Sequence, residues 1–455
     1  MADDSEIGRV GPRARICIDF GTALSKASLC LDPTLPLEIG VRPIPLGLVT
    51  EADHPLLTPS VMFVDGGRLF FGPPAFEYAR RNVAGNRDPL LSFKTVLGAK
   101  DVAKALATQL PPSYDPTGTF RQRDALVLYL AYLDQVLSEA LRRMPDLPSD
   151  VSGVRRRYTS PVWTAGGSVD RVFEQIFNEA AAVSARLSRL LLSPEGISIA
   201  QCRDALEKAA AQPGDGKLDS GVFEPHAAAA AALAYTNSPT RFVCVFDMGA
   251  GTNDIAAFDF NETVEPPTLS EIKEARQCTP LAGDEIDRIL VDLIMRKRNA
   301  PDEDRRVYRA TRLHARELKK ELFASGRIGL KEGWRTTSLR LQELMEDQTF
   351  RQFLAALHQS MGLSLGAVAD RARAAGVNEI DIVLAGGGAN LPFMVDVVRL
   401  AGAQAAPGMR LRIGPLTPAN ALYGSIDQYF VAVFPQIAMS VGGALVELMP
   451  ERAAA

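Results

Sequence analysis

The sequence is poor in the residues that bind metals most often. Only five cysteines and four histidines occur among 455 residues, and no two cysteines form a CxxC pair. Such scarcity argues against a structural zinc site, which needs several of these ligands at close spacing. The dispersed cysteines instead indicate buried thiols in a reducing compartment.

Long apolar runs and a dominant charge are missing as well. No window approaches the roughly 20 uninterrupted apolar residues that a membrane-spanning helix needs, and the polar start "MADDSEIGRV" has no apolar signal core. The net charge is only −4, without a large basic or acidic block, so nothing favours nucleic acid or an anionic membrane. We therefore expect a cytoplasmic protein with no nucleic acid and no membrane as partner.

The sequence is long, and its predicted strands and helices alternate along the chain. Its 455 residues exceed one ordinary core and suffice for two lobes. Strand-like and helix-like segments alternate, which predicts an α/β fold. A hairpin is expected at 60–72, where Gly66 and Gly67 join two strands, and an amphipathic helix at 123–144. Long charged helices should occupy much of 285–320 and 343–375, and residues 211–221 read as an irregular loop.

Two segments in opposite halves of the chain repeat one pattern. "CIDFGTALSKASL" and "VFDMGAGTNDIAAF" each run apolar strand, aspartate, hydrophobe, glycine, small residues, threonine and strand. Small residues let backbone N–H groups approach an anion, and threonine hydroxyls add hydrogen bonds to phosphate oxygens. Asp19 and Asp247 would repel phosphates directly, so Mg²⁺ or its waters must lie between. One such turn alone is an ordinary β-hairpin, but two copies predict a polyphosphate–Mg²⁺ site gripped from both sides.

A third glycine-rich turn stands at "IVLAGGGAN", residues 382–390. Three glycines after a buried strand permit a flat group, such as a base and sugar, to approach near a helix N-terminus. Taken alone, the segment fits a tight strand-to-helix connection equally well.

Together these turns resemble the actin-type ATPase superfamily, and specifically the nucleotide-binding domain of the heat-shock protein 70 chaperones. "IDFGTALS" resembles their first phosphate loop, "FDMGAGTNDIAAF" the second, and "VLAGGGANLP" the adenosine loop. Six further segments lie in the family order: "TPSVMFVDGGRLFFG", "FKTVLGAK", "TSPVW", "FEPHAAAAAALAY", "AGDEID" and "LKKEL". The resemblance spans roughly Ile16 to Leu445. It implies an actin-like ATPase fold of two lobes, each with a mixed β-sheet flanked by helices, around a central nucleotide cleft.

The resemblance also implies boundaries for these lobes. Lobe I would comprise residues 1–237, completed by a C-terminal helix at 432–455. Lobe II would comprise residues 238–431, with a helical subdomain at about 284–378. Pro161 matches a proline that this family links to switching between lobe states.

The resemblance implies four catalytic residues. Asp19 and Asp247 match the acids that hold Mg²⁺ through water, Lys94 matches a lysine near the transferred phosphate, and Glu224 matches the carboxylate that orients the attacking water. From spacing alone, Lys94 would be a surface lysine and Glu224 a helix N-terminal charge. The matching phosphate-loop residues are Gly21, Thr22, Ala23, Gly249, Ala250, Gly251 and Thr252. The other nucleotide-binding positions are Gly283, Asp284, Lys319, Lys320, Gly386, Gly387, Gly388 and Asn390.

Several residues depart from the family pattern. Ala23 replaces a threonine or serine, which removes a hydroxyl from the first loop, and Ala250 replaces a glycine that the second loop usually has. The departures at the base end are Arg316, Phe323, Gly388, Asn390 and Gln436. The phosphate end of the predicted site thus keeps the family pattern, while preference for adenine over other bases stays open.

The resemblance implies an ATP-binding molecular switch that hydrolyses ATP slowly. Its ligands would be ATP, ADP and Mg²⁺, and a protein partner or co-chaperone-like regulator would control it. The family's chaperones continue into an apolar linker and a peptide-binding domain where this sequence ends, so we expect the switch without a client-binding domain. Three alternatives remain: an actin-like filament or scaffold, a small-molecule kinase, and a nucleotide-sensing pseudo-ATPase that does not hydrolyse.

Overall fold

The computed structural model describes most of the chain. The described residues are 13–33, 35, 40–83, 87–145, 147, 151, 153–160, 168–234, 240–264, 267–298, 305–332, 335–414 and 428–445. Pro161 lies outside them, as does the predicted C-terminal helix beyond residue 445.

Strands and helices alternate along the described chain. The strands are β1 (Arg15–Phe20), β2 (Leu24–Cys30), β3 (Val41–Pro43), β4 (Thr58–Pro59), β5 (Val61–Asp65), β6 (Arg68–Phe71), β7 (Leu90–Leu91), β8 (Arg155–Ser160), β9 (Ile197–Ser198), β10 (Leu218–Phe223), β11 (Phe242–Met248), β12 (Asn253–Asn261), β13 (Thr268–Glu271), β14 (Gln277–Thr279), β15 (Arg327–Glu332), β16 (Arg335–Arg340), β17 (Glu379–Ala385) and β18 (Arg410–Ile413). The helices are α1 (Leu46–Thr50), α2 (Gly72–Arg81), α3 (Val102–Ala107), α4 (Gln122–Arg143), α5 (Ser168–Leu187), α6 (Ile199–Ala211), α7 (Glu224–Ala234), α8 (Gly283–Arg298), α9 (Arg305–Leu313), α10 (Ala315–Ser325), α11 (Leu341–Glu346), α12 (Gln348–Ala374), α13 (Met394–Ala405) and α14 (Gln428–Ala444). Short 3₁₀ helices stand at Phe93–Gly98, Ser188–Leu192, Lys273–Ala275 and Gly387–Asn390.

Two mixed sheets form the framework of the molecule. The first has the order β10-β8-β1-β2-β3, with β4 added beside β2, and the second has the order β13-β12-β11-β17-β18, with β14 beside β12. In each sheet an antiparallel hairpin, β1–β2 or β11–β12, adjoins a parallel strand, β8 or β17. The two halves of the chain therefore build the same arrangement around their Asp–Gly–Thr turns.

Helices α7 and α14 pack against each other between these sheets. Their core joins Cys17 and Cys30 of the first sheet to Val243 and Val245 of the second. A Cβ atom at Gly442 of α14 would lie 1.7 Å from the carbonyl oxygen of Ala227 in α7. The alanine run of α7 and the glycines of α14 thus allow close backbone contact, which holds the two sheets near each other.

Several predicted elements are confirmed. The hairpin β5–β6 is antiparallel, with Gly66 and Gly67 at φ of 53° and 74°, and the predicted helix at 123–144 is α4. The long charged helices predicted at 285–320 are, among the described residues of that segment, the three helices α8 to α10. Among the described residues no helix has both the length and the apolar character to cross a bilayer.

The predicted irregular loop at 211–221 is wrong at its C-terminal end. Residues from Leu218 onward form β10, which pairs in parallel with β8. Asp219 of this strand accepts hydrogen bonds from Arg15 at 2.6 Å and from Arg157 at 3.0 and 3.2 Å. Gly221 leaves room for Tyr158, whose ring carbon lies 3.0 Å from the position of an added Cβ atom. Tertiary contacts, and not an apolar sequence, make this segment a strand.

Candidate functional site

The first turn follows a buried carboxylate at the end of β1. Asp19 is 1% exposed and lies opposite Lys26 of β2 in the antiparallel register. Its Oδ2 accepts a hydrogen bond from Lys26 Nζ at 2.7 Å, and its Oδ1 accepts one from Thr159 Oγ1 at 3.0 Å. Both oxygens of Asp19 therefore have protein partners.

The second turn follows Asp247, a buried carboxylate whose hydrogen bonding differs from that of Asp19. Asp247, near the end of β11, is 4% exposed and lies opposite Asp254 of β12. Asp247 Oδ1 and Asp254 Oδ1 are buried without a hydrogen-bond partner, whereas Asp254 Oδ2 accepts a hydrogen bond from Thr252 Oγ1 at 2.7 Å. Burial raises the pKa of Asp247 well above its ordinary value, and the charges of Glu224, Asp254 and Asp19 add to this effect.

The two turns face each other. A Cβ atom added to Gly251 would lie 3.1 Å from Thr22 Cγ2 of the first turn and 3.1 Å from Thr95 Cγ2. Gly251 and Ala250 both lie outside the left-handed backbone region. Ala250 therefore fits the second turn without backbone strain, and Gly251 serves to leave space between the turns.

Lys94 and Glu224 form a buried ion pair beside these turns. Lys94 belongs to the 3₁₀ helix Phe93–Gly98, and Glu224 is the first residue of α7. Lys94 Nζ lies 2.7 Å from Glu224 Oε1, and the two residues are only 6% and 7% exposed. Thr159 Oγ1 lies 3.5 Å from the same Glu224 oxygen and so connects this pair to Asp19. Lys94 is thus a core lysine and not the surface lysine that its spacing alone suggested.

The charges around this pair act on both of its members. Burial raises the pKa of Glu224, and Asp19 and Asp254 raise it further against the opposing effect of Lys94. Burial lowers the pKa of Lys94, but Glu224 and Asp19 outweigh this and raise it above its ordinary value. The lysine is therefore a permanent cation within a group of acids.

The segment at the start of α8 is fixed to the second turn. The backbone N–H groups of Gly283 and Asp284 donate to the carbonyl oxygens of Gly249 and Ala250 at 3.1 and 2.7 Å. Lys319 Nζ donates to the Gly283 carbonyl at 2.9 Å and lies 2.8 Å from Asp287 Oδ1. The predicted base-end residues Gly283, Asp284 and Lys319 thus lie against the predicted phosphate loop.

Lys320 differs from its neighbour Lys319, because it is exposed. It lies near His54, where it assists burial in lowering the pKa of that imidazole. The structure therefore separates the two lysines that the sequence placed together: one is anchored to the loop and the other stands at the surface.

The glycine-rich turn after β17 also contacts the second turn. Gly386 has φ 76°, and a Cβ atom there would lie 2.4 Å from Asp247 Oδ1. A Cβ atom at Gly388 would lie 2.4 Å from Met248 Cγ, whereas Gly387 has no atom within 4 Å of that position. The N–H of Gly386 and the amide of Asn390 donate to carbonyl oxygens of α14 at 2.9 and 2.8 Å. Asn390 thus supports the turn from outside by bonding to the last helix.

Sequence reasoning missed three buried polar residues of this site: Lys26, Thr159 and Asp254. Each stands in a strand whose remaining residues are largely buried. A charged or hydroxyl side chain in such a strand needs a partner, because burying it alone is costly. That mismatch was the available signal for Lys26 and Asp254.

The oxygen atoms of the acidic side chains at this site are possible ligands for a divalent cation. Among the described residues no group of three or more His, Cys, Asp or Glu side chains converges closely enough to bind a metal directly. The unpartnered oxygens of Asp247 and Asp254 are nevertheless acceptors that Mg²⁺-bound water would satisfy. The residues present therefore fit a hydrated cation held through water.

Comparison with known proteins agrees with this architecture. Residues 222–407 match the family model described as Hsp70 protein. This part of the chain is therefore similar to the Hsp70 family. The match includes α7, the second turn and the glycine-rich turn, and the two mixed sheets confirm the actin-like ATPase fold class. No curated protein matches the chain.

The Hsp70 match begins after the first turn and after Lys94. The fold, and not that match, brings these earlier segments to the same place, through Gly251 against Thr22 and through Glu224 against Lys94.

Proposed function

We propose that the protein is an ATP-binding molecular switch of the chaperone ATPase type, which hydrolyses ATP slowly between its two mixed sheets. The observation that carries this proposal is the approach of Thr22 and Gly251, with Asp19 and Asp247 buried behind them. Two turns with small residues and threonines, facing each other, form a cradle for a chain of phosphates.

The phosphates would bind to the backbone N–H groups and threonine hydroxyls of the two turns. Mg²⁺, when bound, would supply positive charge to the phosphate oxygens. Its waters would donate hydrogen bonds to Asp247 Oδ1 and Asp254 Oδ1, which have no partner otherwise. The glycine-rich turn and α8 flank the second turn and would hold the nucleoside.

Lys94 and Glu224 are the proposed catalytic residues. The buried ammonium of Lys94 would stabilise the negative charge that develops on the transferred phosphate. Glu224 would orient the attacking water and accept its proton, for which a raised pKa is suited. Their ion pair holds both side chains in place before the nucleotide arrives.

Switching would require the two halves to move relative to each other. We propose lobe I at 1–237 with the C-terminal helix, and lobe II at 238–431. Among the described residues, the side-chain pairs that cross this boundary include Ser92 with Asp284 at 2.5 Å, Arg80 with Glu317 at 2.6 Å, and Arg309 with Asp88 at 3.1 Å. The Arg80–Glu317 contact is exposed and the other two are partly buried, and such contacts near the surface are weak enough to break and re-form as the cleft opens and closes.

The proposal includes a protein regulator and a cytoplasmic location. The partly exposed Arg80–Glu317 contact is a place where a regulator could reach both lobes.

Four of the five cysteines are buried thiols and none forms a disulfide, which suits a reducing compartment.

Two variants test the proposed function. ATP and ADP binding would be measured by calorimetry and phosphate release by a coupled assay. Glu224→Gln should keep nucleotide affinity but lower phosphate release by about 10²-fold or more. Asp247→Asn should weaken binding of the Mg²⁺–nucleotide complex, yet raise the melting temperature of the free protein because it removes an unpaired buried charge.

Asp204→Asn is the matched control, because Asp204 pairs only with Lys208 at the exposed surface of α6 among the contacts described. It should change neither affinity nor turnover. Absence of nucleotide binding in the natural sequence, or unchanged phosphate release in both Glu224→Gln and Asp247→Asn, would reject the proposed ATPase. GTP in the same titration determines the base preference, and phosphate release without an added acceptor counts against a kinase.

A further inference from the structure

The two carboxylates that match the family's Mg²⁺ acids are not equivalent in this chain. Asp247 presents a buried oxygen without a partner, whereas each oxygen of Asp19 already accepts a hydrogen bond from the protein. The partner on Asp19 Oδ2 is an ammonium group, which carries a full positive charge.

Lys26 brings this charge to the first phosphate turn. It lies on β2 directly opposite Asp19 and is 7% exposed. Its Nζ is 2.7 Å from Asp19 Oδ2 and 3.1 Å from the position of a Cβ atom added to Gly21. The ammonium therefore lies against the glycine of the turn, where a bound phosphate would approach the backbone.

We propose that Lys26 is a built-in cation of the phosphate site, so that the protein retains nucleotide even without a divalent cation. This inference rests on the proposed nucleotide site. An ammonium has three donors, and Asp19 occupies one of them, so others can reach a phosphate oxygen. Asp247 and Asp254 remain the carboxylates that face a hydrated Mg²⁺.

The test measures ADP affinity by calorimetry in excess Mg²⁺ and in excess EDTA. The natural sequence should lose less than about tenfold in affinity when Mg²⁺ is removed, because Lys26 still offsets phosphate charge. Lys26→Arg keeps the positive charge and should retain binding in EDTA. Lys26→Met should lose about tenfold or more in EDTA beyond its loss in Mg²⁺.

Lys26→Met leaves the buried carboxylate of Asp19 without its positively charged partner, which can unfold the protein. The double variant Asp19→Asn/Lys26→Met removes both charges with little change of shape, so it tests the inference in a folded protein. It should show the same EDTA-specific loss. Asp19→Asn alone keeps the cation and should bind ADP in EDTA at least as tightly as the natural sequence. Lys104→Met, at an exposed position of α3, is the control and should change nothing.

The outcomes separate the inference from the proposed function. If EDTA weakens the natural sequence and the double variant by the same factor, Lys26 has no such role, although the nucleotide site stands. If the natural sequence binds no nucleotide in either condition, the proposed function fails and the inference fails with it.

Discussion

Lys94 Nζ lies 2.7 Å from Glu224 Oε1, and this buried contact joins residues 130 positions apart in the sequence. It connects the 3₁₀ helix after β7 to the first residue of α7, which packs between the two sheets. Lys94 is proposed to act on the transferred phosphate and Glu224 on the attacking water. This one contact is therefore proposed to serve both stability and catalysis.

Removing one member of this pair should destabilise the protein more than removing both charges. Lys94→Met leaves an uncompensated buried carboxylate and should lower the free energy of unfolding by about 3 kcal/mol. The double variant Lys94→Met/Glu224→Gln should recover much of that loss. Urea unfolding of the two single variants and the double variant gives the coupling energy. Strictly additive losses would mean that the two side chains do not interact.

Adjacent glycines of the turn after β17 should differ in their tolerance of alanine. Gly388→Ala places a Cβ atom 2.4 Å from Met248 Cγ and 2.5 Å from its Cβ, whereas Gly387→Ala meets no atom within 4 Å. Gly388→Ala should therefore lower the free energy of unfolding by about 1–3 kcal/mol, and Gly387→Ala by less than about 0.5 kcal/mol. Thermal or urea unfolding of the pair measures the difference. Equal effects would contradict the close packing of this turn on Met248.

Asp219 should contribute stability that disappears in acid. Partial burial opposes ionisation, but the hydrogen bonds and charges of Arg15 and Arg157 lower the pKa of Asp219 below its ordinary value. A lowered folded-state pKa means that the contribution is complete above the unfolded pKa of about 3.9, and is lost as the pH falls through the folded pKa. Asp219→Asn should therefore cost about 1 kcal/mol at neutral pH, a modest value because the carboxylate is partly exposed.

The measurement is urea unfolding of both proteins across a pH series. The difference between them should stay constant from neutral pH to the unfolded pKa of aspartate and shrink below it. Asp204→Asn is again a suitable control, because its carboxylate is exposed and pairs along one helix. A difference that persists unchanged in strong acid would rule out the ionic contribution.

The sequence by itself determined the local elements. Gly66 and Gly67 specified the β5–β6 hairpin, because glycine adopts the positive φ that the turn requires, and the apolar period of α4 specified that helix. The two Asp–Gly–Thr turns could also be recognised from the sequence. Each consists of an aspartate, a glycine and a threonine that lie within a few residues of one another.

Only the tertiary structure decided which residues meet. The strand β10 forms because Arg15 and Arg157 hold Asp219 beside β8. Lys94 is buried because Glu224, which belongs to a helix distant in sequence, forms an ion pair with it. The unequal surroundings of Asp19 and Asp247 arise in the same way, since Lys26 and Thr159 reach the first carboxylate but leave the second unpaired. Propensity and spacing act over a few neighbours, whereas burial and charge pairing depend on contacts between segments far apart in the chain.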